Sequence, residues 1–396
     1  MKIAIVVHGR FHGFDLARAM IARGHDVRVF TNYPVWAVLR FGLPAERICS
    51  FWPHGVAVRL VDRMGLRIAD LASSTLHTVF SKWAMKKVGQ ESWDAVHAFS
   101  GIAENLFLGT PEIPRHLLVR GSAHIRRQRD ILRDESARTG VRLDSPCDWM
   151  VEREEREYEM CDRLCVLSAF ARQSFVEAGV PEDKLAVLPL GVDARAFRPS
   201  REVLAERQRR IRSGAPLRVI FAGTMCFRKG LYDFERIARA VDPRRFQFQA
   251  IGSVASEATK FVSKLPSSVE LVPRQPQAKL PGWYAGGDLF LFPTLEDGFA
   301  VVLTQASASG LPILATTNCA APDFVRDGKN GWVLPIRDAG GFIDRLHWCD
   351  EHRDEVAEMV DRTYEDFRPL GWNDVAVNFE TILQNTQHDS GKVLHG

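Results

Sequence analysis

The feature that most constrains the fold is a regular alternation of short apolar runs with longer helical patterns. Between the runs lie stretches such as FDLARAMIARG (14–24), in which apolar residues recur at helical spacing and Gly24 ends the pattern. Because parallel strands need a crossover connection, the alternation predicts parallel sheets with right-handed crossovers. The predicted strands are IAIVV (3–7), HDVRVFT (25–31), DAVHAFS (94–100), HLLVRGS (116–122), RLCVLS (163–168), LAVLPLG (185–191), LRVIFAG (217–223), FQFQAIG (246–252), VELVP (269–273), DLFLFPT (288–294) and PILATT (312–317).

The alternation runs in two series, which predicts two doubly wound, Rossmann-like α/β domains. The stretch between the series, residues 198–216, is polar and contains Pro and Gly. We therefore predict a first domain at 1–197 and a second at 198–371. Residues 372–396 follow the second sheet and contain a helical pattern, WNDVAVNFETIL (372–383), and a polar tail. A chain of 396 residues is long enough for two such cores.

Composition excludes several classes of protein. The formal net charge is only +3, so a nucleic-acid partner is not demanded. The seven cysteines are scattered and form no C-x-x-C pair, which argues against a zinc site and fits a reducing compartment. The amino terminus is apolar over too few residues for a secretion signal, and no run approaches the length of a membrane span. We expect a cytoplasmic protein.

The first candidate site is FAGTMCFRKGL (221–231). A predicted strand ends at Gly223, and Arg228, Lys229 and Gly230 precede the next helical pattern. Ligands of open parallel sheets bind beyond the carboxyl ends of the strands. A helix start with two cations is attractive to phosphate, although a solvated Arg–Lys pair is the plainer alternative. The G-x-x-x-x-G-K-[ST] pattern of nucleoside triphosphatases is absent.

The second candidate site is LEDGFAVVLTQASASGLP (295–312). The strand DLFLFPT leads into a turn and then into a small, apolar helix that we place at about 300–307. Asp297 and Gln305 are about 80° apart around such a helix, so both side chains can face one ligand. The alternatives are structural, because Asp297 suits a helix cap and Gln305 could be a buried core amide.

The third candidate site is LLVRGSAHIRRQRDIL (117–132). A strand ends at Arg120, and His124 follows shortly after, on the edge of the first sheet where ligands bind. A packed or capping histidine is the structural alternative. The loop HGRFHG (8–13) also follows a strand, but it lacks the G-x-G-x-x-G pattern of dinucleotide-binding proteins.

Together these motifs resemble the retaining family 4 glycosyltransferases of the GT-B fold, and the resemblance runs along nearly the whole chain. It is carried by ARAMIARGHDVRVFT, RGSAH, the segment YEMCDRLCVLSAFARQSFVEAGVPEDKLAVLPLGVDARAF, FAGTMCFRKGL, DLFLFPTLEDGFAVVLTQASASGLPI and DFVRDGKNGWVLPIRD. The resemblance implies two domains that face each other across a cleft. It also implies a nucleoside diphosphate sugar as donor substrate and no further cofactor.

The resemblance assigns donor-binding roles to the second site. The family's E-x(7)-E pair falls on Asp297 and Gln305, so both glutamates are replaced. The first position contacts the donor sugar, and the second holds the ribose hydroxyls. Asp297 reaches one methylene less, for which Glu296 would compensate, and the Gln305 carbonyl would accept from the ribose diol. The backbone of Gly298, Phe299, Ala300 and Val301 would lie against sugar and diphosphate.

The resemblance also places the family's cations and its histidine. In the family's G-R-x-x-x-x-K-G loop, Gly223, Lys229 and Gly230 match, whereas Thr224 stands where Arg is expected and Arg228 is the proposed replacement. His124 is the predicted counterpart of the histidine that lines the donor sugar, and we predict catalytic roles for His124, Asp297 and Lys229. The remaining predicted contacts are Gly13, near the diphosphate, and the flanking Arg120 and Arg274.

We therefore predict metal-independent sugar transfer with retention of anomeric configuration, since the chain carries no metal-binding Asp-x-Asp motif. The alternatives are an epimerase or a phosphorylase of the same architecture, or a sugar-nucleotide-binding protein whose site has decayed. The acceptor would be a glycan, a lipid-linked sugar or a small molecule. Residues 51–88 are rich in aromatic and basic side chains and predict either peripheral contact with the inner face of a membrane or ordinary helix packing.

Overall fold

The computed structural model describes residues 1–64 and 66–386 of the chain. The predicted polar tail, from residue 387 onward, lies outside the described residues. So do the side chains at 62 and 66–71, which fall within the stretch predicted to contact a membrane.

The first domain contains a seven-stranded parallel sheet with strand order β3-β2-β1-β4-β5-β6-β7. Its strands are β1 (Lys2–Val7), β2 (Asp26–Thr31), β3 (Ile48–Ser50), β4 (Ala95–Phe99), β5 (His116–Arg120), β6 (Arg163–Val166) and β7 (Leu185–Val187). The helices in this part of the chain are α1 (Gly13–Ala22), α2 (Val35–Leu39), α3 (Trp52–Arg63), α4 (Leu66–Val88), α5 (Glu104–Leu108), α6 (Ile125–Thr139), α7 (Asp148–Met160) and α8 (Ala169–Glu177).

The second domain contains a six-stranded parallel sheet with order β10-β9-β8-β11-β12-β13. Its strands are β8 (Leu217–Ala222), β9 (Phe246–Gly252), β10 (Val269–Pro273), β11 (Leu289–Phe292), β12 (Ile313–Thr316) and β13 (Gly331–Leu334). Its helices are α9 (Arg201–Arg212), α10 (Leu231–Ala240), α11 (Thr259–Val262), α12 (Leu280–Gly286), α13 (Val301–Ala308), α14 (Ala321–Phe324), α15 (Ala339–Glu351) and α16 (Arg353–Asp366). The α/β prediction with two doubly wound parallel sheets is confirmed.

Each sheet buries its inner strands on both faces, which explains why their sequences are continuous apolar runs rather than alternating ones. Two strands were missing from the prediction. β3 has only three residues, all half-buried, and β13 begins at a glycine in the loop GKNGWVLP. Both are edge strands of their sheets, where the apolar signal is weakest.

Two helices connect the domains. The last helix, α17 (Trp372–Asn385), packs on α1, and its Phe379 and Leu383 join the core of the first domain. Helix α6 starts in the first domain, but Leu132 near its middle joins the core of the second. In return Phe299, from the second domain, packs into the core of the first. The two domains therefore share side chains and lie in contact.

Candidate functional site

The two domains enclose a cleft of about 1530 Å³ at the carboxyl ends of both sheets. In each sheet the strand order reverses beside the first strand, between β1 and β4 in one and between β8 and β11 in the other. Such reversal points are where open α/β sheets bind ligands. The loops that leave β8 and β11 carry the two motifs predicted for the donor.

The turn after β8 presents Arg228 and Lys229 on a short 3-10 helix, Phe227–Lys229. Gly230 follows with a left-handed backbone (φ 78°), and a Cβ at this position would overlap the carbonyl oxygen of Pro293. Only glycine fits this close approach, which seats the two cations beside the chain that leaves β11.

Two adjacent ion pairs join the turn after β8 to the turn after β11. Lys229 Nζ pairs with Asp297 Oδ2, and Arg228 lies 3.3 Å from Glu296 Oε2. Asp297 Oδ1 accepts hydrogen bonds from the backbone N–H groups of Phe299 (3.2 Å) and Ala300 (2.9 Å). Burial alone would raise the pKa of Asp297, but Lys229 and Arg228 hold it below its usual value. Asp297 is therefore an ionised carboxylate at neutral pH.

Glu296 connects the two domains. Its side chain is fully buried and accepts hydrogen bonds from the backbone N–H of Ala123 and from Gln128 Nε2, both at 3.0 Å and both from the first domain. The remaining contact is with Arg228. The suggestion that Glu296 compensates for the short reach of Asp297 is therefore not supported, because its carboxylate points into the domain interface.

The two domains approach each other closely at Gly298. A Cβ at this position would overlap the carbonyl oxygen of Gly121 and lie 2.9 Å from the α-carbon of Ser122. The turn at Asp297–Gly298 thus abuts the Arg120–Gly121–Ser122 turn of the first domain. The chain is seen with its cleft closed at this point.

Gln305 lies on α13, is buried, and lines the cleft. Its carbonyl Oε1 accepts a hydrogen bond from the hydroxyl of Tyr284 at 3.1 Å. The Tyr284 hydroxyl takes one of the two lone pairs of this carbonyl, and the other lone pair can accept from a ligand hydroxyl in the cleft. The NH2 of Gln305 is a donor beside it.

Two family models match the chain in succession. Residues 11–196 match the model described as Glycosyltransferase Family 4, and residues 216–350 match the one described as Glycosyl transferases group 1. Together they cover more than three quarters of the chain. The chain belongs to the family 4, group 1 glycosyltransferases.

Individual relatives agree with this assignment. A GDP-mannose-dependent alpha-(1-6)-phosphatidylinositol monomannoside mannosyltransferase of Mycobacterium tuberculosis is 28% identical over 212 residues, 50% of this chain and 52% of that protein. The amylovoran biosynthesis glycosyltransferase AmsK of Erwinia amylovora is 24% identical over 218 residues, 52% of this chain and 51% of that protein. The chain thus spans about half the length of these relatives. The crystal structure of Anabaena Alr3699/HepE in complex with UDP superposes with a TM-score of 0.69 at 13% identity, covering 97% of this chain and all of that one.

Most residues predicted for the donor in this glycosyltransferase line the cleft. They are Arg120, Gly223, Thr224, Arg228, Arg274, Asp297, Phe299, Ala300, Val301 and Gln305. Thr224 shares a hydrogen bond with Ser253 (3.2 Å) and supplies no charge, so Arg228 is the cation of this loop that reaches the cleft. Lys229 does not line the cleft, but it pairs with Asp297, which does. Gly13 packs against Phe99 at the start of α1.

His124 is not brought to the cleft. It caps α6, where its Nδ1 accepts from the backbone N–H of Arg126 (3.3 Å), and its ring packs on Tyr158 and Phe175. Burial lowers the pKa of His124 to about 4. The structural alternative, a packed capping histidine, therefore describes this residue, and no catalytic role is retained for it.

Other titratable side chains of the glycosyltransferase line the first-domain wall of the cleft and were not predicted. The histidines and the glutamate among them are His8, His12, His77 and Glu154. Burial lowers the pKa of His8 to about 3 and of His12 to about 4, so both rings are neutral. His8 directly follows β1, so its position after a strand was a usable signal. His77 and Glu154 lie within long helices, where nothing local distinguishes them.

Across residues 1–64 and 66–386, no group of three or more His, Cys, Asp or Glu side chains is arranged to hold a metal ion.

Proposed function

We propose that the chain transfers a sugar from a nucleoside diphosphate sugar to an acceptor hydroxyl, with retention of anomeric configuration and without a divalent metal. The observation that carries this proposal is the pairing of Arg228 and Lys229 with Glu296 and Asp297, where the second sheet reverses its order. That pairing sets a cation, a carboxylate and a helix start around one point of the cleft.

The donor diphosphate would lie between Arg228 and the start of α13. Val301 and Val302 begin that helix and line the cleft, so the unpaired N–H groups of a first helical turn are available there. Arg228 can add a two-pronged contact to phosphate. These groups would stabilise the negative charge that develops on the leaving diphosphate. Asp297, held ionised by Lys229, would contact the donor sugar.

The acceptor would lie against the first domain. Within the proposal its hydroxyl oxygen forms the new glycosidic bond from the face that the diphosphate leaves, and a diphosphate oxygen takes the hydroxyl proton. The sugar–phosphate bond breaks, and a nucleoside diphosphate is released. The contact between Gly298 and the Gly121 turn would keep water from the reacting sugar.

Nucleotide binding tests the donor site. One similar protein is named as GDP-mannose-dependent, and another was crystallised with UDP, so both nucleotides belong in the panel. Thermal unfolding would be followed with UDP, GDP, ADP and their sugars. A ligand at about one hundred times its Kd stabilises the folded chain by about 2.7 kcal/mol, which is easily detected. A protein that none of them stabilises would contradict the proposal.

Measurements of catalysis distinguish the proposed transferase from the alternative functions. Release of nucleoside diphosphate from the sugar nucleotide that stabilises most is expected for a transferase. A decayed binding protein would release none, and an epimerase would change the sugar without releasing it. A phosphorylase would show the absorbance of bound pyridoxal phosphate. Loss of activity on adding EDTA would contradict the metal-independent step.

Membrane contact remains a separate proposal, for which α3 gives the best support. Its outward face exposes Trp52, Val56, Leu60 and Arg59, and Met64 is exposed just beyond its end. Apolar side chains interspersed with arginine suit an anionic bilayer surface. In contrast, the end of α4 packs as an ordinary helix, burying Phe80, Ala84 and Val88.

Vesicle co-sedimentation tests this surface. The double variant Trp52→Ser, Leu60→Ser should lose sedimentation with vesicles rich in phosphatidylserine, whereas Val79→Ser, at an exposed position of α4, should keep it. Equal sedimentation of both proteins would contradict a docking role for α3. Within the described residues, no helix is both long and apolar enough to cross a bilayer. A location at the inner face of the membrane stays a prediction.

A further inference from the structure

The first sheet has its own reversal point, and a second group of side chains gathers there. His8 directly follows β1, and Gly101 follows β4, the two strands between which the order reverses. Both residues line the cleft. Open α/β sheets bind ligands where the strand order reverses, and the same rule supports the donor site in the second domain. We therefore expect the first domain to hold its ligand beside His8 and Gly101.

Three side chains converge on Gly101. A Cβ added there would lie 3.8 Å from Glu154 Oε1, 3.6 Å from His77 Cδ2 and 3.3 Å from Met150 Sδ. The three come from helices α4 and α7, and all line the cleft. The result is a small pocket with one carboxylate, one imidazole and one apolar sulfur on its walls.

Glu154 is held in place through one oxygen only. Its Oε2 accepts a hydrogen bond from the hydroxyl of Tyr158 (2.6 Å) and lies 3.1 Å from Arg120 Nε. Within the described part of the chain, no hydrogen bond engages Oε1, the oxygen that faces Gly101. The side chain is only 4% exposed. A carboxylate oxygen that lies beside a cleft can accept a hydrogen bond from a ligand hydroxyl.

His77 presents a second acceptor. Its Nδ1 lies 2.8 Å from the backbone carbonyl oxygen of Ser73, so Nδ1 carries the hydrogen and donates it. The lone pair is then on Nε2, which is bonded to the Cδ2 that faces Gly101. Burial lowers the pKa of His77, and the ring is neutral. His8 packs beside it, with ring centroids 5.2 Å apart.

We propose that Glu154 and His77 form the acceptor subsite and that it takes a neutral saccharide, which donates two of its hydroxyl hydrogens to Glu154 Oε1 and His77 Nε2. This inference rests on the proposed transfer function, because it names the acceptor class of that reaction. Met150 supplies the apolar surface on which the carbon skeleton of the sugar lies.

The same arrangement rejects a phosphorylated sugar at this point. A phosphate group at neutral pH brings negative charge and acceptor oxygens to a pocket whose two polar atoms are themselves acceptors. Arg120, the cation that pairs with the carboxylate of this pocket, is already held by Glu154 and donates to Gln128 Oε1 at 2.7 Å. Like charges in this setting repel, which gives selectivity through repulsion as well as attraction.

The test uses the full chain saturated with UDP or GDP and measures the binding of simple sugars by saturation-transfer NMR. The probes are the methyl glycosides of glucose, galactose and mannose, compared with glucose 6-phosphate and mannose 6-phosphate. Two variants address the pocket, Glu154→Gln and His77→Phe. Glu155→Gln is the matched control, because Glu155 is the next residue of α7 and pairs with Arg126 instead.

We expect at least one neutral glycoside to bind to the wild type and to Glu155→Gln, with about tenfold weaker binding in each pocket variant. The 6-phosphates should bind more weakly than their parent sugars. Three results would overturn the inference: tighter binding of the 6-phosphates, equal binding by Glu154→Gln and Glu155→Gln, or no binding of any glycoside. His77→Phe keeps the test decisive should Glu154→Gln unfold.

Failure of this inference is distinguishable from failure of the proposed function. If nucleotides stabilise the folded chain but no sugar binds, only the acceptor subsite is contradicted. If no nucleotide stabilises the folded chain, the donor site is contradicted. Titration of the nucleotide-free chain with sugars would still test the pocket around Gly101.

Discussion

Glu296 in the second domain accepts a hydrogen bond from the backbone N–H of Ala123 in the first, at 3.0 Å. The same carboxylate binds Arg228, which lines the proposed diphosphate site. One side chain thus takes part both in domain contact and in holding a donor-binding cation. Closure of the cleft and the position of Arg228 are physically linked through it.

Removing that carboxylate should therefore weaken the folded chain. Glu296→Ala leaves the Ala123 N–H without its partner and Arg228 without its counter-charge, at a cost of about 3 kcal/mol in the free energy of unfolding. Urea denaturation measures the change. Glu351→Ala removes an exposed carboxylate of the same domain and is the control. Equal stability of the two variants would show that Glu296 does not hold the domains together.

A substitution at Gly298 tests closure of the cleft without changing any charge. Gly298→Ala puts a methyl group into the Gly121 carbonyl, so the domains must separate. We expect nucleotide binding to persist, because it depends on the second domain, while donor turnover falls about 100-fold. Gly282→Ala is the matched control, since a Cβ there meets nothing within 4 Å. Normal turnover by Gly298→Ala would contradict a catalytic role for this contact.

Gln305 tests how the donor ribose is held. Gln305→Glu keeps an acceptor for the Tyr284 hydroxyl and adds a charged acceptor toward the cleft. Charge-assisted hydrogen bonds are the stronger kind, so nucleotide affinity should rise about tenfold by calorimetry. Gln247→Glu adds the same charge at an exposed position of β9. Unchanged or weaker binding in Gln305→Glu would mean that no ribose hydroxyl donates a hydrogen bond to this residue.

Buried histidines should make the chain sensitive to acid. His97 on β4 is fully buried against Phe379, and within the described residues neither ring nitrogen has a partner. Burial lowers the pKa of His97 from 6.5 to about 3. The unfolded chain therefore takes up a proton that the folded chain refuses. Above pH 6.5, His97 is neutral in both the folded and the unfolded chain and does not oppose folding. As the pH falls from 6.5 toward 3, the free energy of unfolding decreases by about 1.4 kcal/mol per pH unit.

His97→Leu should reduce that acid sensitivity. Unfolding free energies at pH 7.5 and at pH 5 would be compared with those of His347→Leu, a substitution at an exposed position of α15. Acid loss as steep in His97→Leu as in the wild type would contradict the role given to His97.

The sequence predicted the sheets well because parallel strands buried on both faces are continuous apolar runs. It also predicted which loops meet at the cleft, because carboxyl ends of parallel strands share one edge. It could not place side chains that act across the domain interface. Glu296 and Asp297 are neighbours in sequence, yet one faces the other domain and the other faces the cleft. That difference depends on how the two domains pack, which no local pattern encodes.

The same limit explains why the prediction for His124 was corrected and why Glu154 was not predicted. His124 follows a strand and looked suitable, but the start of α6 turns its ring into the first-domain core. Glu154 is one of several acidic residues in VEREEREYEM, and only the packing of α7 beside Gly101 singles it out. Gln305 lines the cleft, whereas its partner Tyr284 lies on another helix and was not foreseen.

The most direct test of the account is the turnover of Lys229→Ala. Lys229 and Arg228 together hold Asp297 ionised beside the proposed diphosphate site, and loss of Lys229 removes the cation that contacts this carboxylate directly. Release of nucleoside diphosphate from the preferred sugar nucleotide should fall at least about 100-fold. Lys260→Ala, at an exposed position of the same domain, should retain wild-type turnover. Near-normal turnover by Lys229→Ala would contradict the assignment of this cleft as the donor site.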